Sequence, residues 1–410
     1  MEKSPTQKLW TVVSIRDLEL RKKRVFLRLD LNVPLSDPDT NGQRTVTDTT
    51  RIDEALPTIR FAMEQGARVV LASHLGRPNG QRKETESLAP VADVLAERLG
   101  VEVMLTDDCI GEGIEMMTQS LKQGQVLLLE NLRFHGGEEA NDPKFCKALS
   151  RLADVYIMDA FGTAHRKHAS VYGLPQIMNK KGVGLLVERE LKYLDPLLHS
   201  PQKPFVTILG GSKVSDKIKT IEALLPRVDT LLIGGAMAYA FMAAKGQVIP
   251  KEAKTPYEEE IQAAKRILRA AEGLERTVLL PIDTCESYDI GPKTIGIFQD
   301  ALRTAKTVFW NGPVGWFEKP PYEAGTRALA EYLSSLSALK VVGGGDTVSA
   351  IKTLGYAEGF DHLSTGGGAV LKYLEGKGLP GIDVLKVDLK RRESSALEFE
   401  DLPESEGDSQ

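Results

Sequence analysis

FVTILGGSKVSDKIKTI, residues Phe205–Ile221, is the stretch that predicts the fold of this chain most directly. It opens with an apolar run, Phe205–Leu209, which is typical of a buried strand. Three small residues, Gly210–Ser212, then turn the chain into a predicted helix. The apolar stripe of that helix recurs at helical spacing and consists of Val214, Ile218, Ile221 and Leu225.

Lys213 and Lys217 fall i, i+4 in the first turns of this predicted helix. Like charges at that spacing repel by roughly 0.2–0.5 kcal/mol, and cations are disfavoured at the positive end of a helix. An anion would relieve both costs, and glycines let backbone amides approach it closely. The pattern therefore indicates a phosphate site, although a strand–turn–helix with two solvated lysines fits the same residues. Neither GxxxxGK[ST] nor a GxGxxG after a strand occurs, which excludes the two common phosphate-binding motifs.

The size and composition of the chain are those of a globular protein with two domains. Its 410 residues suggest two domains of about 200 residues, and 42% hydrophobic and 27% charged residues are ordinary values. A net charge of −5 disfavours a general nucleic-acid partner. The three cysteines have neither disulfide nor zinc-ligand spacing, and no signal peptide or membrane-length apolar run is seen. We therefore expect a cytoplasmic protein with no membrane partner.

Short apolar runs in the first half of the chain alternate with helical patterns. The predicted strands are Val25–Asp30, Arg68–Ala72, Gln125–Glu130 and Val155–Asp159, and the helical patterns include Leu88–Leu99 and Asp142–Leu152. This alternation predicts a parallel sheet with helices on both faces. In such a sheet, ligands bind beyond the carboxyl ends of the strands.

Polar and mostly basic residues follow these four strands. They are Arg28, Asp30 and Asn32 after the first, His74 and Arg77 after the second, Asn131, Arg133 and His135 after the third, and Asp159, His165, Arg166 and His168 after the fourth. Arg51 precedes a helix and is expected to reach the same place. Guanidinium groups bind phosphate and carboxylate bidentately, so the pattern indicates a pocket for a small, multiply charged acid whose hydroxyl is oriented by Asp30 and Asn32. His165 and His168 also fit a metal pair, for which no third ligand is suitably spaced.

The second half repeats the alternation after a predicted long helix, Val183–Leu198, and the breaking sequence SPQKP. We interpret this segment as a domain boundary, the alternative being a surface helix within one domain. Further strands are predicted at Thr230–Ile233, Thr277–Pro281, Thr307–Trp310, Leu339–Val342 and near Leu363. Glycine clusters follow four of these strands, which indicates close backbone approach to a ligand. Asp346, after one cluster, is suited to Mg²⁺ that also binds phosphate oxygens.

Eight of these motifs occur in the order and spacing of the phosphoglycerate kinase family, and the chain resembles that family from about Val12 to Lys390. They are LRLDLNVP, SHLGRP, LENLRFH, DAFGTAHRKHAS, GGSKVSDKI, NGPVGWFE, GGGDTV and STGGGA. The resemblance implies reversible phosphoryl transfer between ATP and the carboxylate of 3-phosphoglycerate, giving 1,3-bisphosphoglycerate and ADP. It also implies Mg²⁺ as cofactor and a monomer that closes by hinge bending.

The resemblance implies roles for individual residues. Catalysis is assigned to Arg51, Lys217, Gly367 and Gly368. Binding of 3-phosphoglycerate is assigned to Asp30, Asn32, Arg51, His74, Arg77, Arg133 and Arg166. Nucleotide binding is assigned to Gly211, Lys213, Lys217, Gly235, Asn311, Pro313, Glu318, Gly344, Gly345, Asp346 and Thr347, with Asp346 as the metal ligand and Glu318 on the ribose.

The implied fold is α/β, with two doubly wound, Rossmann-like parallel-sheet domains that face each other across a cleft and are joined by a long helix. We expect a glycerate-binding domain at 1–184, an interdomain helix at 185–200 and a nucleotide-binding domain at 201–375. Residues 376–390 should return to the first domain. The acidic tail, 391–410, should be disordered, with a docking segment at Ala396–Leu402 as the alternative.

Two departures from the family pattern bear on selectivity for the nucleotide base. CESYDIGP, which contains Ser287, lacks the glycine that many members carry before the DIG triplet, and Trp316 stands where a smaller aliphatic residue is common. Two other functions remain open. A nicotinamide-dependent dehydrogenase would need a glycine-rich fingerprint with an acidic residue about 20 positions later, which is missing. A catalytically silent binding or scaffold protein of the same fold is distinguished only by an assay.

Overall fold

The structure is a computed structural model and describes residues 10–40, 42–253 and 255–388. The acidic tail 391–410 and the segment Ala396–Leu402 lie outside the described residues. Within the described ranges, no helix combines the length and the apolar character needed to cross a bilayer.

Short strands and helices alternate along the described chain, as the sequence predicts. The strands are β1 (Trp10–Val12), β2 (Arg24–Leu29), β3 (Arg68–Ala72), β4 (Val103–Leu105), β5 (Val126–Leu128), β6 (Val155–Asp159), β7 (Lys181–Val183), β8 (Phe205–Leu209), β9 (Thr230–Ile233), β10 (Thr277–Leu279), β11 (Thr284–Cys285), β12 (Asp289–Ile290), β13 (Thr307–Asn311), β14 (Leu339–Gly343), β15 (His362–Leu363) and β16 (Lys386–Asp388). The α-helices are α1 (Thr50–Glu64), α2 (Ala89–Leu99), α3 (Glu112–Ser120), α4 (Gly136–Glu139), α5 (Pro143–Ser150), α6 (Leu174–Ile177), α7 (Leu185–His199), α8 (Ile218–Leu224), α9 (Ala238–Ala244), α10 (Glu258–Gly273), α11 (Pro292–Leu302), α12 (Ala324–Ser334), α13 (Gly345–Thr353), α14 (Gly368–Lys372) and α15 (Pro380–Asp383). Single 3₁₀ or π turns connect several of them, at Ile15–Asp17, Glu84–Glu86, Leu132–Phe134, Phe161–Thr163, Ala169–Gly173, Ala357–Gly359 and Tyr373–Lys377.

Internal contacts divide the chain into two compact units. Of the described residues, unit 1 holds 10–160, 166–188 and 380–388, and unit 2 holds 161–165 and 189–379. The division falls within α7, close to the boundary expected from the sequence. Residues 376–379 stay with unit 2, whereas 380–388 belong to unit 1, where β16 pairs antiparallel with β1.

Unit 1 contains a parallel six-stranded sheet with the order β4-β5-β3-β2-β6-β7. Every residue of β5 and β6 is buried, because parallel strands are covered by other elements on both faces. Apolar side chains of α1 and α2, such as Ile59 and Leu95, pack with Val25, Val69 and Ile157 of the central strands into one core. This arrangement confirms the predicted α/β fold for the first half.

Unit 2 contains a second parallel six-stranded sheet, with the order β10-β9-β8-β13-β14-β15. The chain runs outward from β8 through β9 to β10, then returns to place β13 on the other side of β8. The boundary between β8 and β13 is therefore the switch point of a doubly wound sheet, the place where ligands bind in such folds. Two parallel sheets confirm the predicted fold class.

The interior strands match the sequence predictions most closely. Arg68–Ala72, Val155–Asp159, Phe205–Leu209 and Thr230–Ile233 have the predicted bounds. The edge strands β4 and β7 were not predicted, since each has only three residues and none of those in β4 is fully buried.

The long helix begins later than predicted, because Val183 ends strand β7 and α7 begins at Leu185. Asp159, at the end of β6, sets this start: its Oδ1 accepts hydrogen bonds from the backbone amides of Leu186 and Val187 at 3.0 and 3.1 Å. A side-chain oxygen that accepts from the first amides of a helix caps it. One of the polar strand-end residues is thereby used to cap a helix.

The ribbon formed by β11 and β12 carries a loop with unusual backbone geometry. Glu286 and Ser287 have φ values of 46° and 66°, a region that costs a residue with a Cβ roughly 1 kcal/mol or more. The Ser287 hydroxyl is also buried without a hydrogen-bond partner.

We predict that Ser287→Gly stabilises the protein. Glycine tolerates a positive φ and removes the unpaired hydroxyl, so the free energy of unfolding should rise by about 1 kcal/mol and Tm by about 2–4 °C. Differential scanning calorimetry measures this, with Ser335→Gly as a control because Ser335 has an ordinary φ of −88°. An unchanged or lowered Tm for Ser287→Gly would contradict the prediction.

Candidate functional site

The first candidate site lies at the carboxyl ends of β2, β3 and β5 in unit 1. Arg28 is buried and donates to Ser170 Oγ at 2.7 Å, to the Leu29 carbonyl and to His74 Nδ1 at 3.3 Å. Since a guanidinium can only donate, Nδ1 of His74 accepts and the imidazole carries its proton on Nε2. Glu138, also buried, holds Ser170 from the other side, with 2.6 Å between Glu138 Oε1 and Ser170 Oγ.

His74 reports the electrostatic character of this site. Burial lowers the pKa of its imidazole well below the usual value, and Arg28, Arg133, Arg166 and Arg51 lower it further. Four guanidinium groups from separate parts of the chain therefore act on one buried ring. Burial and these four positive charges together keep the ring neutral, and an anion placed near the arginines would be stabilised.

Asp30 and Asn32 hold other parts of the same site. Asp30 Oδ1 accepts from Arg51 Nη1 at 2.7 Å, and Asn32 Oδ1 accepts from the Gly76 amide at 2.8 Å. The sequence suggested that Arg51 precedes a helix, but the residue lies within the first turn of α1. The Asp30 carboxylate therefore fixes a guanidinium that would otherwise be mobile.

The remaining predicted arginines differ in exposure. Arg133 is buried, donates to the Gly76 carbonyl at 2.7 Å and lies 3.3 Å from Glu139. Burial lowers the pKa of Arg133. Arg166 is half-buried and acts on both His74 and Arg133, whereas the Arg77 side chain is exposed. The structure thus brings Arg51, Arg133 and Arg166 together around His74.

The second candidate site lies at the switch point of unit 2, where three strand-end segments interlock through backbone hydrogen bonds. The Gly210 amide donates to the Asn311 carbonyl at 3.0 Å, and the Gly211 amide donates to the Pro313 carbonyl at 2.9 Å. A Cβ atom on Gly312 would lie 2.3 Å from the Gly210 carbonyl oxygen, and one on Gly235 would lie 2.6 Å from the Gly211 amide nitrogen. Glycines are required here because backbone meets backbone.

Lys217 is buried at this point. Its ammonium group donates to the Gly210 carbonyl at 2.6 Å and to the Asn311 carbonyl at 2.8 Å. Burial lowers the pKa of Lys217 to about 8, and attraction to Asp346 and Asp216 opposes that shift. A lysine with a weakened preference for its charged form gains most from an approaching anion.

The prediction that Lys213 and Lys217 lie in the first turns of a helix is wrong. Helix α8 begins only at Ile218, and the preceding residues form a turn in which Lys217 and Ile218 amides bond to the Val214 carbonyl. Both lysines therefore precede the helix, so the helical i, i+4 repulsion and the unfavourable placement of cations in its first turns do not arise. The turn directs the Lys217 side chain to the strand-end carbonyls. The predicted apolar positions Val214 and Ile221 are buried.

Lys213 is exposed and borders a cavity of about 900 Å³ in unit 2. Its walls combine apolar side chains of Met237, Ala240, Pro256 and Tyr257 with the loop that carries Lys213. Sequence reasoning missed the contribution of Pro256 and Tyr257, because they precede α10 and follow no strand. Polar and charged residues, among them Glu258–Glu260 and Arg266, line the rest of this cavity. A partly apolar cavity beside a glycine loop and lysines suits a flat heterocycle attached to phosphates.

The segment after β14 completes the charged part of this site. Gly344 has a φ of 94° and precedes α13, whose first turn contains Asp346 and Thr347. Thr347 is buried and its hydroxyl accepts from the Gly312 amide at 2.6 Å, while Asn311 Nδ2 donates to the Gly343 carbonyl at 2.7 Å. These bonds tie the two strand ends together.

Asp346 and its neighbour Gly345 are exposed, and the Asp346 charge reaches Lys217. One accessible carboxylate beside a phosphate-binding loop is the donor set that suits Mg²⁺, which takes one or two carboxylates together with phosphate oxygens and water. The residues present therefore fit the expected metal.

The Gly366–Gly368 segment is positioned by a network that the sequence did not reveal. Glu190 of α7 is buried and accepts from the Ser364 hydroxyl at 2.7 Å, from the Thr365 amide at 3.1 Å and from His362 at 2.8 Å. Gly367, with a φ of 51°, then precedes α14, which begins at Gly368. Glu190 and Ser364 are about 170 positions apart, so local sequence patterns could not pair them. The one available signal was a carboxylate at a buried position of a regular helix.

Three predicted nucleotide-pocket residues lie around the turn that follows β13. The Pro313 carbonyl accepts a hydrogen bond from the Gly211 amide, whereas the Glu318 side chain is exposed. Trp316 is half-exposed, with its ring centroid 5.7 Å from that of Tyr288. Neither Trp316 nor Ser287 borders the 900 Å³ cavity.

The two units and their strand-end sites define a class: doubly wound α/β proteins that hold phosphorylated ligands at glycine- and arginine-rich loops. The family model for phosphoglycerate kinase matches residues 15–377. The phosphoglycerate kinase of Anaeromyxobacter sp. strain Fw109-5 is 45% identical, covering 91% of this chain and 99% of that protein. That of Acidobacterium capsulatum is also 45% identical, with 91% and 98% coverage.

Comparison with solved structures gives the same family. The structure of phosphoglycerate kinase from Coxiella burnetii matches with a TM-score of 0.83 and 36% identity, covering 93% of this chain and all of that one. The enzyme from Pyrococcus horikoshii matches with a TM-score of 0.76 and 31% identity, with 91% and 98% coverage. The chain belongs to the phosphoglycerate kinase family, and the resemblance inferred from the eight motifs is confirmed.

The lowered pKa of Lys217 predicts a proton-linked anion site. Near pH 8 about half of the Lys217 amines are uncharged in the free protein, and a bound anion favours the ammonium form. Binding of inorganic tripolyphosphate should therefore take up protons near pH 8, and its affinity should fall as the pH rises above 8. Titration calorimetry in two buffers of different ionisation enthalpy measures this uptake.

Lys217→Met should abolish the uptake, whereas Lys219→Met, at an exposed position of α8, should retain it. Equal proton uptake by the wild type and Lys217→Met would show that another group titrates.

Proposed function

We propose that this protein catalyses reversible transfer of a phosphoryl group between ATP and the carboxylate of 3-phosphoglycerate, giving ADP and 1,3-bisphosphoglycerate. The observation that carries the proposal is the occurrence of both strand-end sites in a chain that belongs to the phosphoglycerate kinase family over residues 15–377. One site suits a small organic acid with two anionic groups. The other suits a nucleotide polyphosphate.

In unit 1, the positive potential around His74 would hold the phosphate and the carboxylate of 3-phosphoglycerate. Arg51, Arg133 and Arg166 supply guanidinium forks, and Arg77 is the exposed cation best able to move onto a bound ligand. Asp30 and Asn32 supply acceptors for the substrate hydroxyl. Neutral His74, with its proton on Nε2, is a hydrogen-bond donor without a charge of its own.

In unit 2, the nucleotide phosphates would lie at the switch point and the base in the cavity bordered by Met237 and Tyr257. Lys213 is the exposed cation on the rim, and the amides of Gly344 and Gly345 would approach the phosphates without side-chain interference. The Gly211 amide already donates to the Pro313 carbonyl, so Gly211 would contribute close backbone approach to the nucleotide and no amide donor. Asp346 would hold Mg²⁺, which when bound neutralises charge on the phosphate oxygens. The exposed Glu318 is the candidate partner of the ribose.

The chemistry requires charge stabilisation more than proton transfer. A carboxylate is already a nucleophile, so no general base is needed, and phosphoryl transfer passes through a loose, metaphosphate-like state. The main barrier is repulsion between two anions that must come into contact. Arg51, Lys217 and the backbone amides of Gly367 and Gly368 would stabilise the oxygens of the group in transfer.

Lys217 has to change partners during this reaction. In the free protein its ammonium group is bound to the Gly210 and Asn311 carbonyls, and a phosphoryl oxygen is a stronger, charged acceptor. The lysine would therefore leave one carbonyl and follow the transferred group. Its lowered pKa means that little solvation is lost in this exchange.

We further propose a monomer that acts in the cytoplasm. Both strand-end sites lie within one chain, so neither needs a second copy to be complete. All three cysteines, Cys109, Cys146 and Cys285, are free thiols, which supports a reducing compartment.

The direct test is an assay with Mg-ATP and 3-phosphoglycerate, coupled to detection of the acyl phosphate. Turnover that depends on all three components would support the proposal. Nucleotide binding without turnover would instead identify a catalytically silent member of the family.

We predict that Lys217→Ala lowers kcat by at least about 10²-fold, the effect of losing one preorganised donor to the transition state. Lys219→Ala is the matched control, since Lys219 is exposed two residues further along the chain. Circular dichroism should show that both variants are folded. A Lys217→Ala enzyme with wild-type kcat would exclude Lys217 from the transfer step.

We predict that Asp30→Ala raises KM for 3-phosphoglycerate by about 10- to 100-fold, the range of a lost charge-assisted hydrogen bond. The variant loses an acceptor for the substrate and also releases Arg51. KM for ATP should change little. Asp93→Ala, at an exposed position of α2, controls for loss of a carboxylate, and an unchanged KM in Asp30→Ala would argue against the pocket.

A further inference from the structure

A cluster of metal-ligating side chains lies outside the residues assigned to either substrate. Asp108 and Cys109 belong to the turn between β4 and α3, and His135 follows the 3₁₀ turn Leu132–Phe134. One potential ligand atom from each lies within 4.8 Å of the others. We propose that Asp108, Cys109 and His135 form a binding site for a thiophilic divalent cation, with Zn²⁺ as the ligand.

The sheet topology explains why these residues meet. Strands β4 and β5 are parallel neighbours, so the turns that follow them leave the same edge of the sheet. Asp108 lies three residues beyond β4, and His135 lies seven residues beyond β5. The cluster could not be predicted from the sequence, because Cys109 and His135 are 26 positions apart and match no common zinc motif.

The donor set is the one that zinc prefers. Thiolate, imidazole nitrogen and carboxylate oxygen are its usual protein ligands, and three of them with a water molecule complete a tetrahedral site. Magnesium and calcium disfavour the thiolate, so this cluster is chemically distinct from the carboxylate–phosphate site at Asp346.

Of the three side chains, one is buried and two are partly exposed to solvent. Cys109 is fully buried, whereas the side chains of Asp108 and His135 are 46% and 31% exposed. A cation can therefore arrive from solvent between the carboxylate and the imidazole and reach the sulfur below them. Among the described residues, this is the one group of three or more such side chains at ligating distances, and the earlier metal candidates His165 and His168 are not part of it.

Existing contacts orient two of the ligands. His135 Nε2 is 2.6 Å from Asp108 Oδ1, and the imidazole packs against the Phe145 ring with 5.3 Å between centroids. Asp108 Oδ1 also accepts from the Cys109 amide at 2.6 Å. A metal ion would take the place of the proton between His135 Nε2 and Asp108 Oδ1, and that proton would move through solvent to His135 Nδ1. The pair would widen from 2.6 Å to about 3.4 Å, the separation of two ligand atoms that each lie about 2.1 Å from a tetrahedral zinc ion.

The local charge also suits a cation. Burial raises the pKa of the Cys109 thiol well above its usual value, and the negative charges of Asp108 and Glu138 raise it further. A divalent ion would neutralise the potential that disfavours the thiolate. Arg82, whose charge interacts with Asp108, is already bonded to Glu84 at 3.0 Å and to the Asp107 carbonyl.

Binding must therefore release the thiol proton. The S–H bond breaks, the sulfur electron pair is donated to Zn²⁺, and the proton passes to buffer, so about one proton per ion should leave the thiol near pH 7. Zn²⁺ affinity should consequently increase with pH.

The test uses the full-length protein, freed of metal with a chelator and titrated with Co²⁺, whose bond to a thiolate gives a charge-transfer band in the near ultraviolet. We expect one Co²⁺ per chain with this band, displacement by Zn²⁺, and a rise in Tm on adding Zn²⁺. Cys109→Ala should abolish the band. His135→Gln and Asp108→Asn should weaken Zn²⁺ binding by roughly 100-fold or more, since losing a ligand costs at least as much as losing its supporting contacts.

Matched controls separate this site from incidental binding. Cys146→Ala removes another buried cysteine and His199→Gln removes an exposed histidine, and both should bind Co²⁺ and Zn²⁺ as the wild type does. If Cys109→Ala fails to fold, the partly exposed positions His135 and Asp108 carry the test. The proposal is overturned if the wild type gives no thiolate band, or if the band and the rise in Tm survive His135→Gln and Asp108→Asn.

Discussion

The ammonium group of Lys217, bound between the carbonyl oxygens of Gly210 and Asn311, is the interaction on which the arrangement of unit 2 depends. Those two carbonyls end β8 and β13, the adjacent strands at which the strand order reverses. At a switch point the connections leave in opposite directions and expose a crevice. A buried cation there needs acceptors, and the backbone carbonyls of Gly210 and Asn311 at the strand ends supply them. The glycines around it follow from the same constraint, because a Cβ on Gly312 would lie 2.5 Å from the Lys217 nitrogen.

Unit 1 also holds positive charge at a buried site, but it does so with arginines and not with a lysine. Its positive charge comes from arginines that approach His74 from separate parts of the chain, including strand β2 and helix α1. Burying guanidinium groups is costly unless their donors are bound. Arg28 is bonded to Ser170, Leu29 and His74, and Ser170 is held in turn by buried Glu138. The carboxylate thus offsets the innermost arginine, while Arg51, Arg133 and Arg166 lie further out. The residual positive potential is what an anionic substrate would neutralise.

Much of this arrangement could be predicted from the sequence, because strand ends are local features. The apolar runs Arg68–Ala72 and Phe205–Leu209 have the predicted bounds, and the polar residues after them do gather at sheet edges. The failures have physical causes. The helix after Gly211 starts late because a turn directs Lys217 to the carbonyls. The edge strands β4 and β7 have three residues each, which is too short for a recognisable pattern of apolar residues. The contact of Glu190 with Ser364 joins distant parts of the chain and leaves no local signal. The roles of individual residues toward each substrate stay predictions.

The proposed function requires that the two ligands bind at separate strand-end sites, the phosphoglycerate in unit 1 and the nucleotide in unit 2. Hydrogen exchange measured by mass spectrometry, with each ligand added alone, distinguishes the two sites. We predict that 3-phosphoglycerate slows exchange in peptides around Asn32, Gly76 and Arg133. Mg-ADP should slow exchange around Gly211, Gly312 and Gly345. Protection by 3-phosphoglycerate confined to the unit 2 peptides, or by Mg-ADP confined to those of unit 1, would contradict it.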